Sequence, residues 1–265
     1  MSVIITAGLA ASTPDQPLTH ARWGYQRVRG EVEASSAAQG APALAADSPF
    51  TYTFWRPETM PATWQITPDS IQTVNYVGIA AHTIGSSGGT VGVEFWDGAD
   101  WTLVAETTPE DNSAILFLFE DVEDGEIWRL TLTGPAAPRV GVVYAGKTLD
   151  MERPLYGGHS PINLSRQTVY ANNVSERGQW LGRSIVRSGS ATSLSWDHLT
   201  PGWYRAQFDP LVVHLRKEPA FVAWRPIKWP DGVAYVWTNA DIQPSNMGVR
   251  DLMEVSVAVE GVGDD

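Results

Sequence analysis

The sequence predicts an all-β chain of two units, a β-sandwich followed by a second β-rich unit with a long hairpin arm. Apolar and polar residues alternate over much of the chain, which is the pattern of half-buried strands. Gly, Pro and Asp-Gly pairs interrupt these runs at the short intervals that hairpins require. In addition, residues 49–150 contain no long apolar repeat with the 3.6-residue period of a helix.

The β-sandwich is predicted over residues 49–150. Its clearest part is a hairpin in which residues 90–96 and 101–105 alternate on either side of the Asp97-Gly98 turn. The run at 114–119 is apolar at every position, so this strand is expected to be covered on both faces. Further alternating runs at 127–134 and 139–146 complete the unit.

The flanking segments are less regular. We predict that residues 1–48 form an N-terminal segment and linker that packs with the C-terminal unit, the Ala-, Ser- and Pro-rich stretch 35–49 being a surface loop. Residues 151–265 form the second β-rich unit, with a short helix near Thr200 and a last strand over 251–262. Within it, residues 157–187 are polar and Gly-punctuated, so we expect an arm that gains its partners on a neighbouring subunit.

Composition excludes several classes of function. The formal net charge is −12, and residues 49–150 hold 14 acidic against 4 basic residues, which disfavours nucleic-acid binding. The chain has no cysteine, no apolar run long enough for a membrane span and no basic segment before its short N-terminal apolar run. Its basic residues are 15 Arg and only 3 Lys, a balance that favours protein interfaces. No cofactor is predicted.

Catalytic and metal sites have weak signals. His159-Ser160 and Asp197-His198 supply the residue types of a hydrolase triad, but Ser160 does not lie in a G-x-S-x-G elbow and the five histidines are scattered singly. Structural or surface histidines are therefore favoured. The acidic cluster supplies the hard oxygen ligands that calcium prefers, but its spacing lacks the order of a calcium loop and a solvated turn is favoured; the candidate ligands are Glu120, Asp121, Glu123 and Asp124.

Tryptophans carry more information. Trp96 lies on the opposite face from Phe95 and, together with His82, is the candidate for stacking a sugar ring. Trp101, Trp128 and Trp237 fall on apolar faces and are expected in the core.

Two parts of the sequence resemble known families. The segments VGIAAHTIGS, GTVGVEFWDGADWTLV, ILFLFEDV, WRLTLTG and VGVVYAGKTL resemble the discoidin-like (galactose-binding-like) jelly rolls. ERPLYGGHSPINLSRQTVYANNVSERGQWLGRSIVR and AWRPIKWPDGVAYVWTNADIQPSNMGVRDLMEVSVAVEGV look like tail-tip proteins of long-tailed bacteriophages, most of all the distal tail (Dit-like) class. Better-known distal tail proteins place the ring domain first, whereas here the jelly roll comes first.

This resemblance implies a non-enzymatic virion protein, made in the host cytoplasm. It would form a ring of copies, usually six, that joins the tail tube to tail-tip hub proteins and supports host attachment. One alternative is a carbohydrate-binding module that recognises host-surface glycan through the jelly roll, and another is a hydrolase of envelope sugars. Arginines and aromatic residues of the second unit are the expected assembly contacts; they are Arg166, Tyr170, Arg177, Trp180, Arg183, Trp224, Arg225 and Trp229.

Overall fold

A computed structural model describes residues 2–12 and 18–262 of the chain. In chain order its elements are β1 (Val3–Ile5), α1 (Ala7–Ser12), β2 (Arg22–Gly24), β3 (Gly30–Ala34), a 3₁₀ helix (Ala43–Asp47), β4 (Ala62–Pro68), β5 (Val74–His82), β6 (Thr90–Trp96), β7 (Trp101–Thr107), β8 (Ile115–Val122), β9 (Ile127–Thr133), β10 (Val140–Gly146), β11 (Thr148–Asp150), β12 (Gln167–Val174), β13 (Trp180–Leu199), α2 (Pro201–Trp203), a π-helical turn (Tyr204–Phe208), α3 (Asp209–Leu215), β14 (Ala220–Ala223), β15 (Val233–Trp237), β16 (Ser245–Asn246), a 3₁₀ turn (Gly248–Arg250) and β17 (Met253–Val262).

The described strands form three sheets. The outer sheet has the order β3-β4-β9-β6-β7, and the middle sheet has the order β1-β8-β5-β10. The C-terminal sheet runs β11-β2-β14-β15-β17-β13-β12, with β16 paired to β17. The predicted fold class, an all-β chain with a jelly-roll β-sandwich beside a second β-rich unit with a hairpin arm, is confirmed.

The outer and middle sheets face each other and form the β-sandwich. Between them lies one apolar core, to which β4, β6 and β9 contribute alternate residues from one side and β5, β8 and β10 from the other. Its largest side chains include Trp64, Phe117 and Trp128, each no more than 2% exposed.

The second face of the middle sheet packs on the C-terminal sheet. In β8, Ile115 and Phe117 belong to the sandwich core, whereas Leu116 and Leu118 belong to a second core shared with Phe221 of β14. The prediction that this strand is covered on both sides is therefore confirmed. The three sheets form successive layers, with the middle sheet enclosed by the other two.

A helical segment covers the far face of the C-terminal sheet. It extends from Pro201 to Leu215 and buries Tyr204, Phe208, Leu211 and Leu215, whose spacing places them on one side of a helix. Its π-helical turn ends just before Pro210, which has no amide hydrogen for an α-helical bond. The sequence predicted only one short helix in this region.

The N-terminal segment contributes to all three sheets. Strand β1 pairs in parallel with β8 of the middle sheet, β2 pairs with β14 and β11, and β3 pairs with β4 of the outer sheet. Residues 1–48 therefore do not pack with the C-terminal unit alone. The stretch at 35–49 is more than a linker, because Ala46 is fully buried in the sandwich core and the Ala43 carbonyl accepts a hydrogen bond from Trp64 Nε1.

Strands β12 and β13 form the arm as a two-stranded ribbon. Gly189 of β13 pairs with both Gln167 of β12 and Val262 of β17, so the ribbon leaves the sheet at this point. The eight residues of β12 give it a length of about 26 Å. Residues 157–165, which the sequence placed in the arm, lie on the body, where Ile162 is buried and Ser165 Oγ donates to the Ala191 carbonyl.

None of the helices among the described residues is long and apolar enough to cross a membrane.

Candidate assembly and glycan-binding surfaces

The arm exposes large apolar side chains on a ribbon that nothing in the described chain covers. Trp180 is 68% exposed and Ile185 is 65% exposed. The other exposed apolar residues of the arm are Val169, Tyr170, Val174, Leu181 and Val186. A two-stranded ribbon is marginal in water by itself, and contiguous exposed apolar surface is typical of interaction sites.

Polar contacts hold the ribbon in shape. The Arg183 guanidinium lies 4.2 Å from the ring centre of Tyr170 across the two strands. Arg183 Nε also donates to Asn172 Oδ1 at 2.8 Å. At the tip, the Ser175 amide donates to the Gln179 carbonyl and closes the turn. Two predicted assembly residues, Tyr170 and Arg183, therefore act together to stiffen the arm.

Sequence reasoning missed part of this apolar surface. Leu181, Ile185 and Val186 are as exposed as Trp180, yet only the aromatic and arginine residues were singled out. The signal in the sequence was four large apolar residues, Trp180, Leu181, Ile185 and Val186, within an otherwise polar stretch. They lie on both faces of the strand.

Of the other predicted assembly residues, Trp224, Arg225 and Trp229 lie away from the ribbon. Trp224 and Trp229 stack with their ring centres 6.4 Å apart, and the His159 ring meets Trp224 edge-on at 4.7 Å. Arg225 lies over Trp224 at 5.5 Å. Arg166 lies at the base of the arm, and Arg177 is exposed in the turn at its tip. The predicted contacts therefore occupy two surfaces of the C-terminal unit.

Trp96 lies on the solvent side of the outer sheet, opposite the core, as its position relative to Phe95 predicts. It pairs across the strands with Trp101, and their ring centres are 5.5 Å apart. The Arg129 guanidinium covers Trp101 at 3.5 Å and is held by Glu94, which accepts a 2.7 Å bond from Arg129 Nε. Both tryptophans are half-buried, and the arrangement leaves Trp96 as the uncapped ring of the pair.

The prediction that Trp101 lies in the core is wrong. The register between β6 and β7 shifts between Val93 and Glu94, so that Val104 and Ala105 both pack on the core. One extra residue reverses the direction of the side chains that precede it, and this places Trp101 and Leu103 outside. Trp128 is buried as expected, whereas Trp237, at the last position of β15, is only half-buried.

His82 is not available for stacking on a sugar. Its side chain is 3% exposed, Nε2 lies 2.8 Å from the Ser113 carbonyl, and Nδ1 accepts a bond from the Ile84 amide. These partners require a neutral ring with the proton on Nε2. Burial lowers the pKa of His82 to about 4, against the opposing effect of the bond to Ser113. The residue supports the loop that follows β5.

The acidic cluster of residues 120–126 does not converge. Glu120 accepts a bond from Thr6 Oγ1, and Asp121 is held by Asn75 Nδ2 and Lys147 Nζ, both at 2.9 Å. Within residues 2–12 and 18–262, no group of three or more His, Asp or Glu side chains is arranged to hold a metal ion. Glu123 and Asp124 are exposed, as a solvated turn predicts.

The described residues also contain no hydrolase triad. His20, His82 and His214 each face a main-chain carbonyl rather than a carboxylate or a serine hydroxyl. His159 contacts Trp224, and His198 is exposed with a φ of 63°.

No family model matches this chain, and no curated protein matches it. Among solved structures, it is similar to chitosan-binding module 1 of a chitosanase/glucanase from Paenibacillus sp. IK-5, with 18% identity and a TM-score of 0.40, over 46% of this chain and 97% of that one. It is also similar to the family 32 carbohydrate-binding module of C. perfringens NanJ in complex with galactose, with 20% identity and a TM-score of 0.37, over 43% and 91% of the two chains. A third is the CBM32 of AlyQ in complex with 4,5-unsaturated mannuronic acid, with 19% identity and a TM-score of 0.38, over 46% and 96%. At these values the likeness says nothing of what this chain binds.

Proposed function

We propose that this protein is a non-enzymatic structural protein that assembles with other copies of itself through the arm. The observation that carries this proposal is the exposed apolar surface of the ribbon formed by β12 and β13. The wide, doubly covered middle sheet supplies a stiff body from which such an arm can act.

The physical argument concerns the cost of the isolated arm. Burial of an apolar side chain contributes about 1.5–3 kcal/mol of free energy. The exposed side chains of Trp180, Ile185 and Val186 each lack this contribution in the isolated chain. The arm also carries tryptophan, tyrosine and arginine, the residue types that dominate the binding energy of interfaces. A partner surface that covers both faces of the ribbon would recover this free energy.

The finer proposal is a ring at the tail tip of a long-tailed bacteriophage, between the tail tube and the hub proteins. It is supported by the sequence resemblance of residues 152–187 and 223–262 and by an arm suited to bridging neighbours. Electron micrographs of the virion with this subunit labelled test the location: label at the distal end of the tail is expected, and label elsewhere would overturn it.

The assembly proposal is tested by light scattering on the full chain. We expect the wild type to form oligomers and the double substitution Trp180→Ser, Ile185→Ser to give monomers of 28.9 kDa. Val249→Ser is the matched control, because Val249 is fully exposed in a different surface turn. Oligomers that persist in the double variant, or a wild type that stays monomeric at every concentration, would contradict the role of the arm.

Glycan binding by the β-sandwich is the second candidate function. The observation that favours it is the pair of half-buried tryptophans on the solvent face of the outer sheet, with Trp96 uncapped beside the charged groups of Arg129 and Glu94. Aromatic faces next to hydrogen-bonding groups suit sugar rings, which have apolar faces and polar edges.

A glycan array with the full chain tests this candidate. Binding that is lost in Trp96→Ala but kept in Tyr156→Ala, an exposed aromatic of the C-terminal unit, is the expected result. If no glycan binds, or if Trp96→Ala binds like the wild type, the tryptophan pair has no such role.

A further inference from the structure

We propose that the cleft between the β-sandwich and the C-terminal unit binds a chain of neutral sugar residues, with each unit supplying one wall. This inference goes beyond the second candidate function, because the cleft is separate from the site at Trp96. It places the ligand at a site that neither unit contains by itself.

The cleft has a volume of about 1100 Å³. One wall consists of sandwich loops at residues 51–54, 80–83 and 110–114 together with Arg139, and the other consists of residues 162–166, 188–190 and 231–235. Ligand pockets for single small molecules occupy about 300–1,000 Å³, so this cleft suits an extended ligand of several rings.

Aromatic surface is concentrated on the sandwich wall. Tyr52 is 77% exposed and stacks on Phe50 with ring centres 5.5 Å apart. Phe54 is half-buried beside them, and the Arg139 guanidinium lies 4.8 Å from the centre of its ring. A pair of stacked rings, of which Tyr52 lines the cleft, provides a platform for the apolar face of a pyranose.

Hydrogen-bonding groups with fixed positions line both walls. Asn163 Nδ2 donates to Asp231 Oδ2 at 3.2 Å, and Asn112 Oδ1 accepts a bond from the Ser86 amide at 3.0 Å. Each of these side chains keeps donor or acceptor capacity for a further bond. Such groups, held by the protein before binding, suit ligands rich in hydroxyls because little side-chain entropy is lost.

The charges in the cleft select against a polyanion. Arg139 and Arg166 are opposed by Glu110, Asp111 and Asp231, so the lining has no positive excess. Burial acts to raise the pKa of Asp111, but hydrogen bonds, among them those from Ser113, lower it to about 2, so this carboxylate is charged at neutral pH. Acidic glycans and nucleic acids would therefore meet unfavourable charge, whereas neutral sugars would not.

The experiment measures calorimetric binding of the full chain to neutral tetrasaccharides of glucose, galactose and N-acetylglucosamine, with tetragalacturonate as the acidic probe. We expect at least one neutral probe to bind and the acidic probe to bind more weakly. Tyr52→Ala on one wall and Asn163→Ala on the other should each lower the affinity about five- to tenfold. Both side chains are exposed, so the fold should be retained.

Tyr156→Ala is the control and should bind like the wild type, because Tyr156 is exposed and lies outside the cleft lining. Trp96→Ala separates the two glycan sites, and light scattering on the same samples follows assembly independently. Affinity that falls in Trp96→Ala while both wall variants bind normally would overturn the cleft proposal and leave glycan binding intact. The cleft proposal would also be overturned if no neutral probe binds or if a bound probe is cleaved. The same conclusion would follow if a peptide of residues 166–188 displaces a bound probe. An effect on one wall only would refute the composite site.

Discussion

Gly78 of β5 lies against the ring of Phe221 in β14, and a Cβ built on Gly78 would be 2.7 Å from the ring carbons Cδ2 and Cε2. This contact is where the middle sheet meets the C-terminal sheet. Gly24 of β2 makes a similar approach to Tyr76, at 2.5 Å. Glycines thus allow the two sheets to pack closely, and the aromatic rings fill the space that their missing side chains leave.

Gly78→Ala should destabilise the protein by about 1–3 kcal/mol, because the added methyl group overlaps a buried ring that has no free volume to enter. Urea unfolding measures this change. Gly202→Ala is the control, since Gly202 lies in the first turn of the helical segment with nothing within 4 Å of its Cβ position, and it should be neutral or slightly stabilising. Equal stability of Gly78→Ala and wild type would show that the sheets are not in close contact.

Tyr235 joins the two units through its hydroxyl group. The Tyr235 hydroxyl donates to the Pro49 carbonyl at 2.8 Å and lies 3.0 Å from the Tyr144 hydroxyl. Because Tyr235 gives its single hydrogen to Pro49, we assign Tyr144 as the donor in that pair, in preference to its longer 3.4 Å bond to the Pro219 carbonyl. Tyr235→Phe should cost about 1–3 kcal/mol, because it leaves the Pro49 carbonyl without this donor. Tyr144→Phe should cost less, since Tyr235 keeps its bond to Pro49. Thermal unfolding of both variants and the double variant measures the coupling, and the opposite ranking would contradict this assignment of the donor.

His82 should make stability depend on pH. Its pKa is lowered to about 4 in the folded state, so between pH 4 and the unfolded value near 6.5 the unfolded chain binds more protons. The contribution of His82 to the free energy of unfolding is therefore fully present above pH 6.5. It falls as the pH decreases, by about 3 kcal/mol when pH 4 is reached.

His82→Gln retains a donor and an acceptor but does not titrate, so its stability should change less between pH 7 and pH 4.5 in urea unfolding. His198→Asn is the control, because His198 is exposed and asparagine tolerates its positive φ. If the free energy of unfolding of His82→Gln depends on pH as steeply as that of the wild type, His82 is not the group responsible.

The alternation of apolar and polar residues in the sequence predicted much of the fold. The doubly apolar run around Phe117 indicated a strand between two layers, and the break at Asp97-Gly98 indicated the hairpin that the structure contains. The polar character of residues 157–187 indicated an arm, although residues 157–165 lie on the body. These inferences succeed because side-chain direction in a strand depends only on local geometry.

The wrong predictions, for Trp101 and His82, concern places where the local strand geometry changes or where distant segments of the chain meet. The bulge at Val104 turns the Trp101 side chain from the core face of the sheet to the solvent face. Nothing in the residues themselves marks an extra position in β7. His82 carries the same ring whether it is exposed or buried, and only its packing against Ser113 and Ile84 decided which.

By itself the sequence determined that the chain is all-β, where its main strands lie and that one stretch is too polar to form its own core, since these follow from the period and composition of neighbouring residues. The tertiary structure decided that β1, β2 and β3 join three different sheets and that Tyr52 and Asn163 line the same cleft. Such relationships depend on contacts between residues far apart in the chain, which the folding of all three layers establishes together.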